Sequence, residues 1–148
     1  NVELKMEFGV CSDICVPADA RFNATLGDLP DVGVQVIQAA LEDAPLSAKS
    51  SGVHSATCSL APNGGGFDIS ADLKFARTLN GDRTTVIEYA NPDIWIDIAQ
   101  TSIKGRNLTA NATMEFYGDG MLTIDRSAIR ITVIEDSKAI EVLGCPAP

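Results

Sequence analysis

Phe67-Asp68-Ile69-Ser70-Ala71-Asp72-Leu73-Lys74-Phe75 puts an apolar side chain at each odd position and a polar one at each even position. Period two marks a half-buried β-strand, because successive side chains leave a strand on opposite faces. The same beat recurs downstream. Leu108, Ala110, Ala112, Met114 and Phe116 alternate with Asn107, Thr109, Asn111, Thr113 and Glu115, and Ile129, Ile131 and Val133 repeat it. Glu135-Asp136-Ser137-Lys138 reads as a turn before a last strand at 139–144. Gly64-Gly65-Gly66, Asn80-Gly81-Asp82 and Gly118-Asp119-Gly120 punctuate the runs. About seven or eight short strands with regular turn signals predict an all-β, immunoglobulin-like antiparallel sandwich over residues 53–148.

Upstream of it, Val2, Leu4, Met6, Phe8 and Val10 alternate with Glu3, Lys5, Glu7 and Gly9, and Phe22, Ala24 and Leu26 alternate with Arg21, Asn23 and Thr25. Ser12-Asp13-Ile14 fits a three-residue hairpin loop between these strands. Pro17 lacks an amide hydrogen and predicts an edge or a bulge there. Asp31 suits an N-cap, and Val34, Ile37, Ala40, Leu41 and Ala44 recur at helical spacing until Pro45. The expected organisation is a cysteine-bearing hairpin at 1–28, one short helix near 32–43 with a Ser/Ala/Lys/Gly linker at 46–52 (together 29–52), and the sandwich at 53–148.

Composition narrows the function. At 148 residues the chain makes one good domain or two small ones. With 45% hydrophobic and 21% charged residues it has the makeup of a globular protein rather than a disordered tail. Eleven Lys and Arg against 20 Asp and Glu give a net charge of −9, which repels phosphate backbones and anionic lipid. Nucleic-acid partners are therefore not expected. Apolar runs of a few residues fall far short of the ~20 that span a bilayer. No basic-then-apolar leader opens the chain at Asn1, so a cleaved leader or a start inside a longer protein is expected. A single histidine, His54, argues against a Ser–His–Asp triad and against a multi-histidine metal site.

The chemistry-bearing residues are Cys11, Cys15, Cys58 and Cys145. Four cysteines allow three pairings. A zinc site built from all four is the rival reading, but zinc sites usually show two tight knuckles and here there is one wider pair with two distant singles. Strand parity favours Cys11 with Cys15. The apolar face of the first strand carries even numbers and that of the second carries Phe22, Ala24 and Leu26, so both cysteines continue the polar face. A three-residue loop sets 11 opposite 15, with Cβ atoms about 4.5–5.5 Å apart. The register then pairs Leu4 with Phe22 and Val10 with Val16. It also pairs Lys5 with Arg21 and Glu7 with Asp19, like charges that invite a bulge. A bridge closing so small a loop stabilises weakly, and at a hairpin tip it is open to exchange. The bland alternative is a stapled turn.

Cys58 shares a predicted strand face with His54, Ala56 and Leu60, and Cys145 closes the last strand. A Cys58–Cys145 bridge would join positions 87 apart, and loop-closure entropy gives about 4.5 kcal/mol for it. That bridge is expected to be structural. His54 reads as an ordinary strand residue, and Trp95 and Tyr89 as core or edge residues. Asn23-Ala24-Thr25, Asn107-Leu108-Thr109 and Asn111-Ala112-Thr113 match the glycosylation pattern, which short sequences meet by chance. Gly64-Gly65-Gly66 lacks the lysine and following helix of a phosphate loop, and no cofactor is expected.

Gly9-Val10-Cys11-Ser12-Asp13-Ile14-Cys15-Val16-Pro17-Ala18 resembles the cysteine motif of the DsbD/ScsB amino-terminal periplasmic domain family of bacterial thiol:disulfide interchange proteins. The likeness extends to the strand before it, the helix after it and a second module ending in Gly144-Cys145-Pro146-Ala147. It implies an exported, periplasmic immunoglobulin-like module whose Cys11–Cys15 pair relays electrons between a membrane-embedded reductase domain and periplasmic substrates. It also implies that the chain is the carboxy-terminal portion of a two-module member, with 1–28 the end of an upstream sandwich. Asp13, Glu7 and Asp19 disfavour a thiolate nearby, Lys5 and Arg21 offset this in part, and no helix N-terminus adjoins the pair. The disulfide would therefore be attacked by a partner's better nucleophile. The hairpin's apolar face, Val2, Leu4, Met6, Phe8, Val10, Phe22 and Leu26, predicts packing against another surface, a homo-oligomer being favoured. A non-catalytic adaptor or folding module with purely structural disulfides is the alternative from another class.

Overall fold

In the computed structural model, which describes residues 1–25, 33–136 and 138–148, the chain separates into two units, Asn1–Glu42 and Asp43–Pro148. In the first, β1 (Val2–Cys11) and β2 (Cys15–Ala24) form an antiparallel ribbon in unbroken register from Val2 opposite Ala24 to Cys11 opposite Cys15. Leu4 faces Phe22 and Val10 faces Val16, and the like-charged pairs Lys5–Arg21 and Glu7–Asp19 stand opposite each other without a bulge. Pro17 lies opposite Gly9 within this register. The Cys11 and Cys15 Cα atoms are 4.0 Å apart, closer to the short spacing of non-hydrogen-bonded antiparallel pairs than to the longer spacing of bonded ones. Alternation makes 9–17 the same kind of pair, so the amide hydrogen that Pro17 lacks would have pointed out of the ribbon. That is why proline fits without breaking the ladder.

Helix α1 (Val34–Glu42) carries Val34, Ile37 and Leu41 one turn apart on one stripe, and all three are exposed. The expected N-cap Asp31 and the expected apolar residue Leu26 lie outside the described residues, as does Ser137 of the last turn. Among the described residues of this unit none is buried, and only Ala18 and Ala20 are half-buried.

The second unit is the sandwich. One sheet has the order β3 (Leu46–Ser47), β11 (Lys138–Leu143), β10 (Ile129–Glu135), β6 (Thr84–Tyr89). The other runs β4 (Val53–Pro62), β5 (Gly66–Phe75), β9 (Asn107–Phe116), β7 (Ile94–Ile96), with β8 (Gln100–Lys104) also on β9. The neighbours are antiparallel except β3 on β11. The fold class is therefore the one the period-two runs dictate. Ile69, Ala71, Leu73, Phe75, Leu108, Ala110 and Met114 from one sheet meet Ile87, Ile129, Ile131, Val133, Ile140 and Val142 from the other.

Two sequence readings need correction. Residues 46–52 are not wholly linker: Leu46 and Ser47 pair with Ile140 and Glu141, Ala48 packs on the core, and the Val53 amide donates to the Ala48 carbonyl. His54 does not share the face of Ala56, Cys58 and Leu60. The register slips between Val53 and Ser55, so His54 is the extra residue of a bulge. Val53 turns to the core and His54 to solvent.

At the β10 end, the Arg83 guanidinium, with its side chain 1% exposed, pairs with Glu135 and donates to the Asn80 carbonyl at 3.0 Å. Arg77 reaches the same carboxylate at 3.5 Å. The Arg83 hydrogen bond holds Glu135 below the usual carboxylate range; partial burial opposes this, and the charges of Arg83, Arg77 and Lys138 reinforce it.

Candidate functional site

All four cysteines are in disulfides, Cys11–Cys15 and Cys58–Cys145, which leaves the zinc reading without a thiolate. Among the described residues no group of three or more His, Cys, Asp or Glu side chains is placed to hold a metal ion.

The two bridges sit in opposite surroundings. Cys58 and Cys145 are each 0% exposed, within the core. The bridge ties β4 of one sheet to the segment leaving β11 of the other. Its backbone is also satisfied. The Cys58 amide donates to the Pro146 carbonyl at 2.8 Å, and Arg126 Nη1 donates to the Cys58 carbonyl. The Arg126 carbonyl accepts from the Cys145 amide at 2.9 Å, so one residue grips both halves of the bridge. Arg126 lies in a single 3-10 turn, Arg126–Ala128, capped by the Asp125 side chain, which accepts from the Ser127 amide and hydroxyl. Those bonds hold the Asp125 pKa below its ordinary value. Arg126 was not singled out from sequence, and no local signal marks it 68 residues from Cys58.

Cys11 and Cys15, by contrast, are exposed at the ribbon's tip, where the Ser12 amide donates to the Ile14 carbonyl at 3.2 Å to close the loop. Ile14 stands out at 75% exposure. The row beside the sulfurs is Gly9 and Pro17, the next is Glu7 and Asp19, and the one after is Lys5 and Arg21. A Lys5–Glu3 ion pair at 3.4 Å lies further along the same face. The tip therefore offers a bridge open to solvent, and chemistry there needs an incoming nucleophile.

The aromatic residues are elsewhere. Trp95 is exposed on β7, an outer strand of its sheet, and its indole N–H donates to Asp97 at 3.2 Å; Tyr89 packs on the core. The Tyr117 hydroxyl donates to the Glu115 carboxylate. That bond first, then the charge of Glu115, partial desolvation and the charge of Asp97 push its pKa up. No helix among the described residues is long and apolar enough to cross a membrane.

Fold and bridges together define an immunoglobulin-like β domain preceded by a disulfide-tipped ribbon. The chain is similar in fold to the crystal structure of the N-terminal periplasmic domain of ScsB from Proteus mirabilis, with a TM-score of 0.69 and 18% sequence identity over 94% of this chain. It spans 54% of that chain's length. No family model matches the sequence, and no curated protein matches it.

Proposed function

We propose that the chain is a periplasmic thiol–disulfide exchange module whose redox-active pair is Cys11–Cys15, with Cys58–Cys145 a structural bridge. The observation that carries this reading is the contrast in access: one bridge is open at a hairpin tip and closes a loop of a few residues, while the other is sealed in a core. The likeness to a ScsB periplasmic domain supports it, the periplasmic compartment included.

In the exchange, a thiolate of a partner dithiol attacks one sulfur of the pair. A bond forms between that sulfur and the partner, the Cys11–Cys15 bond breaks, and the displaced sulfur leaves as a thiolate and takes up a proton. The partner's second thiolate then attacks its own bridged sulfur and releases the chain. The partner ends oxidised and the pair reduced, a two-electron transfer. A membrane-embedded reductase domain is the expected donor, and periplasmic proteins with disulfides the acceptors. In the same reading the ribbon belongs to a β module upstream of 29–52. Its apolar face is covered by that module's strands or by a second copy.

A redox titration with alkylation and mass spectrometry tests the proposal. The Cys11–Cys15 couple is expected well above the roughly −300 mV of structural bridges, and a potential at or below that value returns the chain to the adaptor class. Light scattering of the full chain over rising concentration tests the second copy. A monomer whose ribbon amides are protected from exchange rules it out.

A further inference from the structure

Gly9 sits in the interior of β1, where glycine weakens a strand, and nothing in the described residues requires it there. Its φ is not in the positive range that favours glycine. Nor is it squeezed. A Cβ built at position 9 meets only Cys11 Sγ at 3.7 Å and Cys15 Cβ at 3.8 Å, both ordinary contact distances. Those two atoms are also what the missing side chain leaves bare. Gly9 shares the face of Cys11 and Cys15, and its cross-strand neighbour is Pro17, whose compact ring is held to a fixed backbone angle. The outcome is a low row, flanked by the bridge on one side and by Glu7 and Asp19 on the other.

We infer that Gly9 is an access-determining residue: its bare backbone lets the protein surface around a partner's thiolate settle against the Cys11–Cys15 bridge. This deepens the exchange reading and rests on it. The attack itself needs only a sulfur, but a protein nucleophile arrives with its own loop around it. A side chain at position 9 would stand at contact distance from Cys11 Sγ and hold that loop away. A small thiol needs less room, so the obstruction is selective for protein partners.

The test uses the full oxidised chain with Gly9→Ala and Gly9→Val. Second-order rates of opening are measured with reduced thioredoxin as the protein dithiol and with dithiothreitol as the small one. Gly9→Val is expected to slow thioredoxin about tenfold or more and dithiothreitol by less than about threefold, with Gly9→Ala between, because exchange rates follow access to the attacked sulfur. Circular dichroism and the unchanged Cys58–Cys145 bridge report folding, and Gly9→Ala keeps the test alive should Val disturb the ribbon. Thioredoxin rates that match the native protein in both variants overturn the inference, as does equal slowing with both reagents. If neither reagent opens the native bridge, the exchange reading itself fails and the inference falls with it, an outcome visible before any variant is made.

Discussion

β1 and β5 carry the same pattern and meet opposite fates. Val2, Leu4, Met6, Phe8 and Val10 alternate as cleanly as Ile69, Ala71, Leu73 and Phe75, yet the first set is 42–59% exposed and the second 0–1%. Period two reports which side chains share a face; it does not report whether anything covers that face. Coverage is a property of the sheet opposite, and among the described residues only the second unit supplies one. The disulfides follow the same division. The covered unit holds a long-range bridge that removes much entropy from the unfolded chain, and the uncovered ribbon holds a short one that removes little.

The largest effect that would break this comparison is on the bridges. Replacing Cys58 and Cys145 together with Ala is expected to lower stability by about 4.5 kcal/mol, against about 2 kcal/mol or less for the Cys11 and Cys15 double replacement. Urea unfolding followed on the sandwich signal separates them, and equal losses would mean the short bridge is as structural as the long one. Next comes a matched pair of leucines. Leu73→Ala should cost about 3 kcal/mol and Leu4→Ala less than about 0.5 kcal/mol, since only the first leaves a cavity. A comparable loss at Leu4 would show the ribbon face covered in solution.

Within the sandwich, Glu135→Gln is expected to cost about 2 kcal/mol at neutral pH by weakening the bond to a buried guanidinium. Because the folded state lowers the Glu135 pKa from the ordinary 4.5, the pair's contribution is whole above that value and fades as pH falls through the depressed one. Thermal unfolding between neutral and strongly acid pH should therefore show a shallower acid loss in the variant. The smallest effect is a gain. Thr85 is 1% exposed and its hydroxyl has no partner among the described residues, so Thr85→Val should raise stability by about 1 kcal/mol in the same urea assay.

Much of this architecture was legible because parity is local information. The alternation of Val2 to Val10 and the three residues between Cys11 and Cys15 suffice to set the ribbon's register, down to the opposed Lys5 and Arg21. What escaped depends on distant partners. The His54 bulge is invisible in a chain that continues to alternate around it. Leu46 and Ser47 are too short a run to show any period, and become a strand only because β11 passes beside them. Gly9 reads as an unremarkable polar-face position until the sulfurs it adjoins have been placed.

The bond from the Cys58 amide to the Pro146 carbonyl has a further consequence. β4 is an outer strand of its sheet, and an outer strand with idle amides can recruit another chain and seed aggregates. At its midpoint that opportunity is already closed, by Pro146 on the amide and Arg126 on the carbonyl of the same residue. An intermolecular sheet growing along β4 would have to displace both before it could pass Cys58. Pro146 and Arg126 thus guard the sandwich against self-association along β4, a protection that, among the described residues, the two edges of the ribbon do without.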